Sequence, residues 1–160
     1  MIKWLWISLV VVVLDQFTKW LASSNLEMFS PVAVAPLFNL TLMHNAGAAF
    51  SFLSDAGGWQ RWFFTVLALG VSVLIVFWLR RLPSTEKTTA ISLTLILGGA
   101  LGNVIDRVRF GYVVDFLDVY VGTAHWPAFN VADSAITVGA VILVLTSWRG
   151  GPKSTADVHK

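Results

Sequence analysis

Two short segments carry carboxylates where a carboxylate is expensive: GYVVDFLD, from Gly111 to Asp118, and FNVADS, from Phe129 to Ser134. Each borders a long apolar run. A charged side chain at membrane depth is costly unless it is paired, hydrated or used. Two such carboxylates facing each other would make an acid and a base.

Spacing surrounds them with further polar residues. Asn103 and Arg107 are four apart and share a helix face, with Asp106 three from Asn103; Asp115 and Asp118 follow a turn at Gly111, and Asn130 and Asp133 open the last apolar run. Spacing alone does not choose among these acids. Asp133 also reads as a helix N-cap, Asp115 as an ion-pair partner of Arg107 or Arg109, and Asp106 and Asp118 look the same as Asp115.

Other chemistries lack their residues. The chain has no Cys, which removes a thiol nucleophile, a disulfide and a thiolate metal site. His44, His125 and His159 are scattered without metal-ligand spacing, so neither a metal nor any other cofactor is expected. Gly98, Gly99 and Gly102 suit close helix approach better than a phosphate loop. A serine nucleophile would need Ser51 or Ser54 beside Lys19, but Lys19 lies four residues after Asp15 and is expected to pair with it inside the bundle.

The elements that must position these residues are membrane spans. The chain is 56% hydrophobic and only 12% charged over 160 residues, and its mean hydropathy is +0.73. These values indicate an integral membrane protein with one compact bundle. A net charge of +2 is too small to argue for nucleic acid. Crossing about 30 Å of hydrocarbon takes roughly 20 helical residues. Four runs qualify, at about 2–21, 59–79, 89–108 and 132–148. The predicted fold class is therefore an all-α integral membrane protein of four transmembrane helices. Residues 1–148 form a single membrane-embedded domain, and 149–160 a polar, disordered cytoplasmic tail. The first run resembles a cleaved signal peptide in its leading Lys3 and trailing small residues. Asp15 and Lys19 interrupt that pattern, so a retained helix is the better reading.

Lys3, Arg80, Arg81, Lys87, Arg149, Lys153 and Lys160 fall on one side, which the positive-inside rule makes cytoplasmic, with both termini. The loops 22–58 and 109–131 then face outward. All eight Trp residues sit in or near a predicted interface. In the first outer loop, Leu37 to Leu42 alternates apolar and polar residues as a half-buried strand does, which predicts a small extracytoplasmic β-sheet and loop over the outer helix ends. Asn45-Ala46-Gly47 reads as a turn, and Ala48 to Leu53 returns an apolar face toward the bilayer.

Taken together, HNAGAAFSFL (44–53), GGALGNVIDRVRFGYVVDFLDVY (98–120) and FNVADSAITVGAVILV (129–144) resemble the signature blocks of the bacterial lipoprotein signal peptidase family, signal peptidase II. The resemblance spans the chain, Asp15 and Lys19 included. It implies an aspartic endopeptidase that removes the signal peptide of prolipoproteins just before a diacylglyceryl-modified Cys. It implies Asp115 and Asp133 as the catalytic dyad, with Asp106 and Asp118 structural or orienting. Asn45, Gly47, Asn103, Arg107 and Asn130 resemble the family's polar ring around the dyad, contacting substrate or orienting the carboxylates. The expected partners are the lipid-modified prolipoprotein and membrane lipids, with the chain a monomer in the bacterial inner membrane and its site near the outer face. Two other classes are weighed against this. A small transporter or channel subunit would distribute carboxylates along a path, yet the inner halves of the second and fourth spans hold no ionisable residue. A non-catalytic assembly subunit would tolerate replacement of the acids.

Overall fold

The computed structural model describes residues 1–47 and 58–149. The apolar segment expected at 48–53, Ser51, Ser54 and the tail beyond 149 lie outside the described residues. A short 3₁₀ turn (Ile2–Trp4) leads into helix α1 (Leu5–Asn25), followed by strands β1 (Val32–Ala35) and β2 (Phe38–Asn45), helices α2 (Trp59–Arg81) and α3 (Lys87–Phe110), strands β3 (Val113–Val121) and β4 (Ala124–His125), and helix α4 (Val131–Arg149). All four helices are long and apolar enough to cross a membrane. Their ends extend the expected spans by up to four residues, because polar end residues continue the backbone ladder past the apolar stretch.

α3 is the central helix, with 67% of its apolar window buried, against 17 to 28% for the other three. Its small residues allow this. Without a hydrophobic drive between helices in lipid, close approach of backbones supplies the packing. A Cβ on Gly102 would sit 2.6 Å from the Asp15 carboxylate, and one on Gly99 would run into the Ala132 carbonyl. Away from α3, Trp6, Leu9, Val13 and Phe17 on α1 and Val66, Val73 and Leu74 on α2 are exposed. That belt suits acyl chains.

The strands form one antiparallel sheet in the order β1-β2-β3-β4. Only β2 matches the strand expected at Leu37 to Leu42; β1, β3, which follows the turn at Gly111, and the short β4 were not singled out as strands. β3 exists because β2 is there to pair with it, Asn39 opposite Asp118 and Met43 opposite Asp115. The sheet is anchored where Leu42, Val114 and Phe116 bury against Ala22 near the C-terminal end of α1. Gly111, at φ 87°, ends α3 and starts this reversal, a backbone region in which a side chain would be strained. The segment before α4 docks on the same strand, the Phe129 carbonyl accepting the Phe116 and Leu117 N–H groups at 3.0 and 2.9 Å.

Candidate active site

Asp115 and Asp118 are three residues apart on β3, and side chains on a strand alternate, so the two carboxylates leave on opposite faces. Asp118 turns to β2 and β4. It accepts hydrogen bonds from Thr41 at 3.0 Å and Asn39 at 3.4 Å, and pairs with the His125 Nδ1 at 2.7 Å. Burial works to raise its pKa, but these three partners outweigh it and hold the carboxyl below its ordinary value. Asp115 turns instead toward the helix bundle. Its two oxygens accept from Asn130 Nδ2 at 2.7 Å and Asn45 Nδ2 at 3.1 Å. Burial, and after it the nearby Asp133 charge, pushes its pKa up to about 7. The ion pair with Arg107 or Arg109 that spacing had left open does not form among the described residues.

Asp133 occupies the first turn of α4, but it does not cap it. Asn130 is the N-cap: its Oδ1 accepts the Asp133 N–H at 2.9 Å. The preceding N–H, of Ala132, goes to Asp15 Oδ1 on α1 at 2.9 Å. With two amides of the first turn already satisfied, the Asp133 carboxylate has no capping task. It accepts from Asn103 Nδ2 at 2.8 Å and lies at the positive end of the helix dipole, which favours an anion.

Behind the two acids is a buried charge cluster. Lys19 reaches Asp15 at 2.9 Å and Asp106 at 2.8 Å, and donates to Asn103 Oδ1 at 2.9 Å. Gln16 adds a bond to Asp106 at 2.8 Å. The pairing of Lys19 with Asp15 follows the i,i+4 expectation. The second carboxylate and Gln16 had no signal in the sequence, since both contacts depend on α3 lying against α1.

Asp115 and Asp133 line one cavity of about 510 Å³, together with Asn45, Asn103 and Arg107. Its far wall is apolar, from Trp126 to Phe129 and from Ile136 and Val138 on α4. That wall was not singled out from sequence, because such residues on a membrane helix look like any other apolar surface. Arg107 donates to the Gly47 carbonyl at 3.1 Å, while its Nε is buried without a partner among the described residues. Gly47 and Asn130 are buried outside this lining: Asn130 is fully buried behind the acids, and Gly47 is held through its carbonyl. Of the histidines, His44 stacks on Tyr112 with ring centres 3.9 Å apart, His125 pairs with Asp118, and His159 is not described. No group of three potential metal ligands occurs among the described residues.

The fold resembles solved bacterial membrane enzymes. One, determined by the in meso method at 2.3 Å, superposes with a TM-score of 0.86 at 28% identity, over 100% of this chain and 96% of the other. A second, at 1.9 Å, gives 0.81 at 30% identity over 94% and 95%. Among sequences, the lipoprotein signal peptidase of Acinetobacter baumannii is 58% identical over 145 residues, 91% of this chain and 82% of that one. That of Alteromonas mediterranea is 49% identical over 156 residues, 98% and 86%. The family profile described as signal peptidase (SPase) II matches residues 7–149, from the first helix to the end of the fourth, and the chain belongs to that family of membrane peptidases.

Proposed function

We propose that this chain is an aspartic endopeptidase that cleaves the signal peptide from prolipoproteins just before a diacylglyceryl-modified Cys, with Asp115 and Asp133 as its acid–base pair. The observation that carries this is the convergence of two carboxylates, from β3 and from the start of α4, on one cavity with a polar end and an apolar wall. Membership of the signal peptidase II family supports it. The positive-inside rule assigns the turn bearing Arg80, Arg81 and Lys87 to the cytoplasm. The sheet and the dyad, at the opposite end of the bundle, then lie near the outer face, and both termini are cytoplasmic.

Two carboxylates in a site of low dielectric cannot both ionise cheaply, so they share one proton and titrate as a unit. The ionised member takes a proton from water as the water oxygen bonds to the scissile carbonyl carbon. The protonated member gives its proton to the carbonyl oxygen, producing a neutral gem-diol. The first acid then returns its proton to the amide nitrogen while the second takes one from a gem-diol hydroxyl, so the C–N bond breaks, a carboxylic acid and an amine leave, and the dyad regains its single shared proton. Asn103 and Asn130 orient the acids, Asn45 and Arg107 lie where the peptide backbone would pass, and Gly47 is positioned by Arg107. The apolar wall and surrounding lipid accommodate the acyl chains, each buried CH₂ contributing about 0.8 kcal/mol.

The test is cleavage of a purified lipid-modified prolipoprotein in detergent. Asp115→Asn and Asp133→Asn should each abolish turnover while the protein stays folded; substantial turnover by either variant removes the dyad.

A further inference from the structure

Lys19 touches neither the cavity nor its acids, yet its neighbours all lead to them. Asp15, one of its two ion-pair partners, holds the backbone N–H of Ala132 at 2.9 Å. Asp106, the other, holds the backbone N–H of Val114 at 3.1 Å. Ala132 immediately precedes Asp133, and Val114 immediately precedes Asp115. The third partner, Asn103, has its oxygen on the Lys19 ammonium at 2.9 Å and its amide nitrogen on the Asp133 carboxylate at 2.8 Å.

We propose that Lys19 is a positioning residue that sets the spacing and orientation of Asp115 and Asp133 through Asp15, Asp106 and Asn103. This rests on the aspartyl reading above. The chemistry of the ammonium explains the choice of residue. It carries three donors and no acceptor, and here it meets three oxygens from two helices. Because Asn103 must present its oxygen to a group that can only donate, its amide cannot turn over, and its NH₂ must face Asp133. A side chain without donors would leave that oxygen only the longer 3.3 Å bond from Asn130 Nδ2. Since Asp15 and Asp106 each grip one chain just before a dyad acid, α1, α3, β3 and α4 are joined through one buried cation, which is 3% exposed.

Lys19→Met keeps length and removes charge. A displacement of about 1 Å at a reacting group can cost roughly a hundredfold in rate. We expect kcat to fall by about that factor with KM within about threefold. The charges facing the dyad are Lys19 and Asp15 from α1 and Asp106 and Arg107 from α3. Removing the cation should move the basic limb of the kcat/KM pH profile upward. Asp106→Asn keeps an acceptor for Val114 and leaves Lys19 its Asp15 pair, so it serves if Lys19→Met does not fold. It should lower kcat about tenfold, leave KM within threefold, and move the same limb downward, since an anion is lost. A purely structural role would reduce the amount of folded enzyme without moving the limb. Folded Lys19→Met or Asp106→Asn with kcat within threefold of the parent, or with an unmoved limb, overturns the inference. Should Asp115→Asn or Asp133→Asn turn over substrate, the dyad assignment itself fails, which is a separate result.

Discussion

Asn130 donates a 2.7 Å hydrogen bond to Asp115 from 15 residues along the chain. The same amide's oxygen caps α4 on the Asp133 N–H at 2.9 Å, so one fully buried side chain ties both acids together. Orientation of the amide is dictated by this double use, because its NH₂ must face a carboxylate and its oxygen a backbone donor.

Asn130→Ala should therefore damage stability and catalysis together. It strips the N-cap of α4 and leaves one Asp115 oxygen short of a donor. Loss of a buried partner costs about 1–3 kcal/mol and loss of a cap typically about 1. Thermal unfolding in detergent should shift down accordingly, and kcat should fall at least about tenfold. An Asn130→Ala protein of native kcat would show that the two acids do not depend on it.

The raised pKa of Asp115 fixes the direction of the pH response. In the proposed reaction, Asp115 holds its proton below about 7, and above that value the proton that would pass to the carbonyl oxygen is lost. Cleavage should fall about tenfold per pH unit on the alkaline side, measured as kcat/KM in a fixed detergent. The folded chain also binds this proton more tightly than an unfolded chain of pKa 3.8 does, so the Asp115 contribution to stability declines as pH rises from there to about 7. A rate that keeps rising to pH 9 would contradict the assignment.

Asp118 should behave in the opposite sense. Its folded pKa lies below 3.8, so its pairing with His125, Thr41 and Asn39 stabilises the sheet above that value and ceases to do so as pH falls through the folded pKa. Asp118→Asn should lower thermal stability at pH 7, with the deficit shrinking in strong acid, and should leave kcat within about threefold. Abolished cleavage in a folded Asp118→Asn protein would return the choice within the DFLD run to Asp118.

Chelation provides a further check. Asp115 and Asp133 supply proton acceptor and donor between them, so the proposed reaction needs no metal-bound water. Cleavage in EDTA should stay within about twofold of the untreated rate. Loss of activity restored by added zinc would sink the aspartyl mechanism.

Several properties were legible in the chain itself. Apolar runs of near-spanning length established four helices, since a bilayer accepts almost nothing else at that hydropathy. The i,i+4 spacing of Asp15 and Lys19 announced their pairing, and the blocks around Asp115 and Asp133 carried the family resemblance. Tertiary structure alone decided which groups each acid meets. Spacing left Asp115 and Asp118 equivalent, and only the family resemblance favoured Asp115; β3 forms by pairing with β2, some 70 to 80 residues earlier, and strand alternation then sends one acid to the cavity and the other to His125. Asp133 had read as the cap of α4, but Asn130 takes that place on the Asp133 N–H, while Asp15, from α1, holds the Ala132 N–H and Asn103 the Asp133 carboxylate. Local pattern reports what a segment prefers by itself, whereas a hydrogen bond across 117 residues exists only once small residues on α3 have brought three helices together.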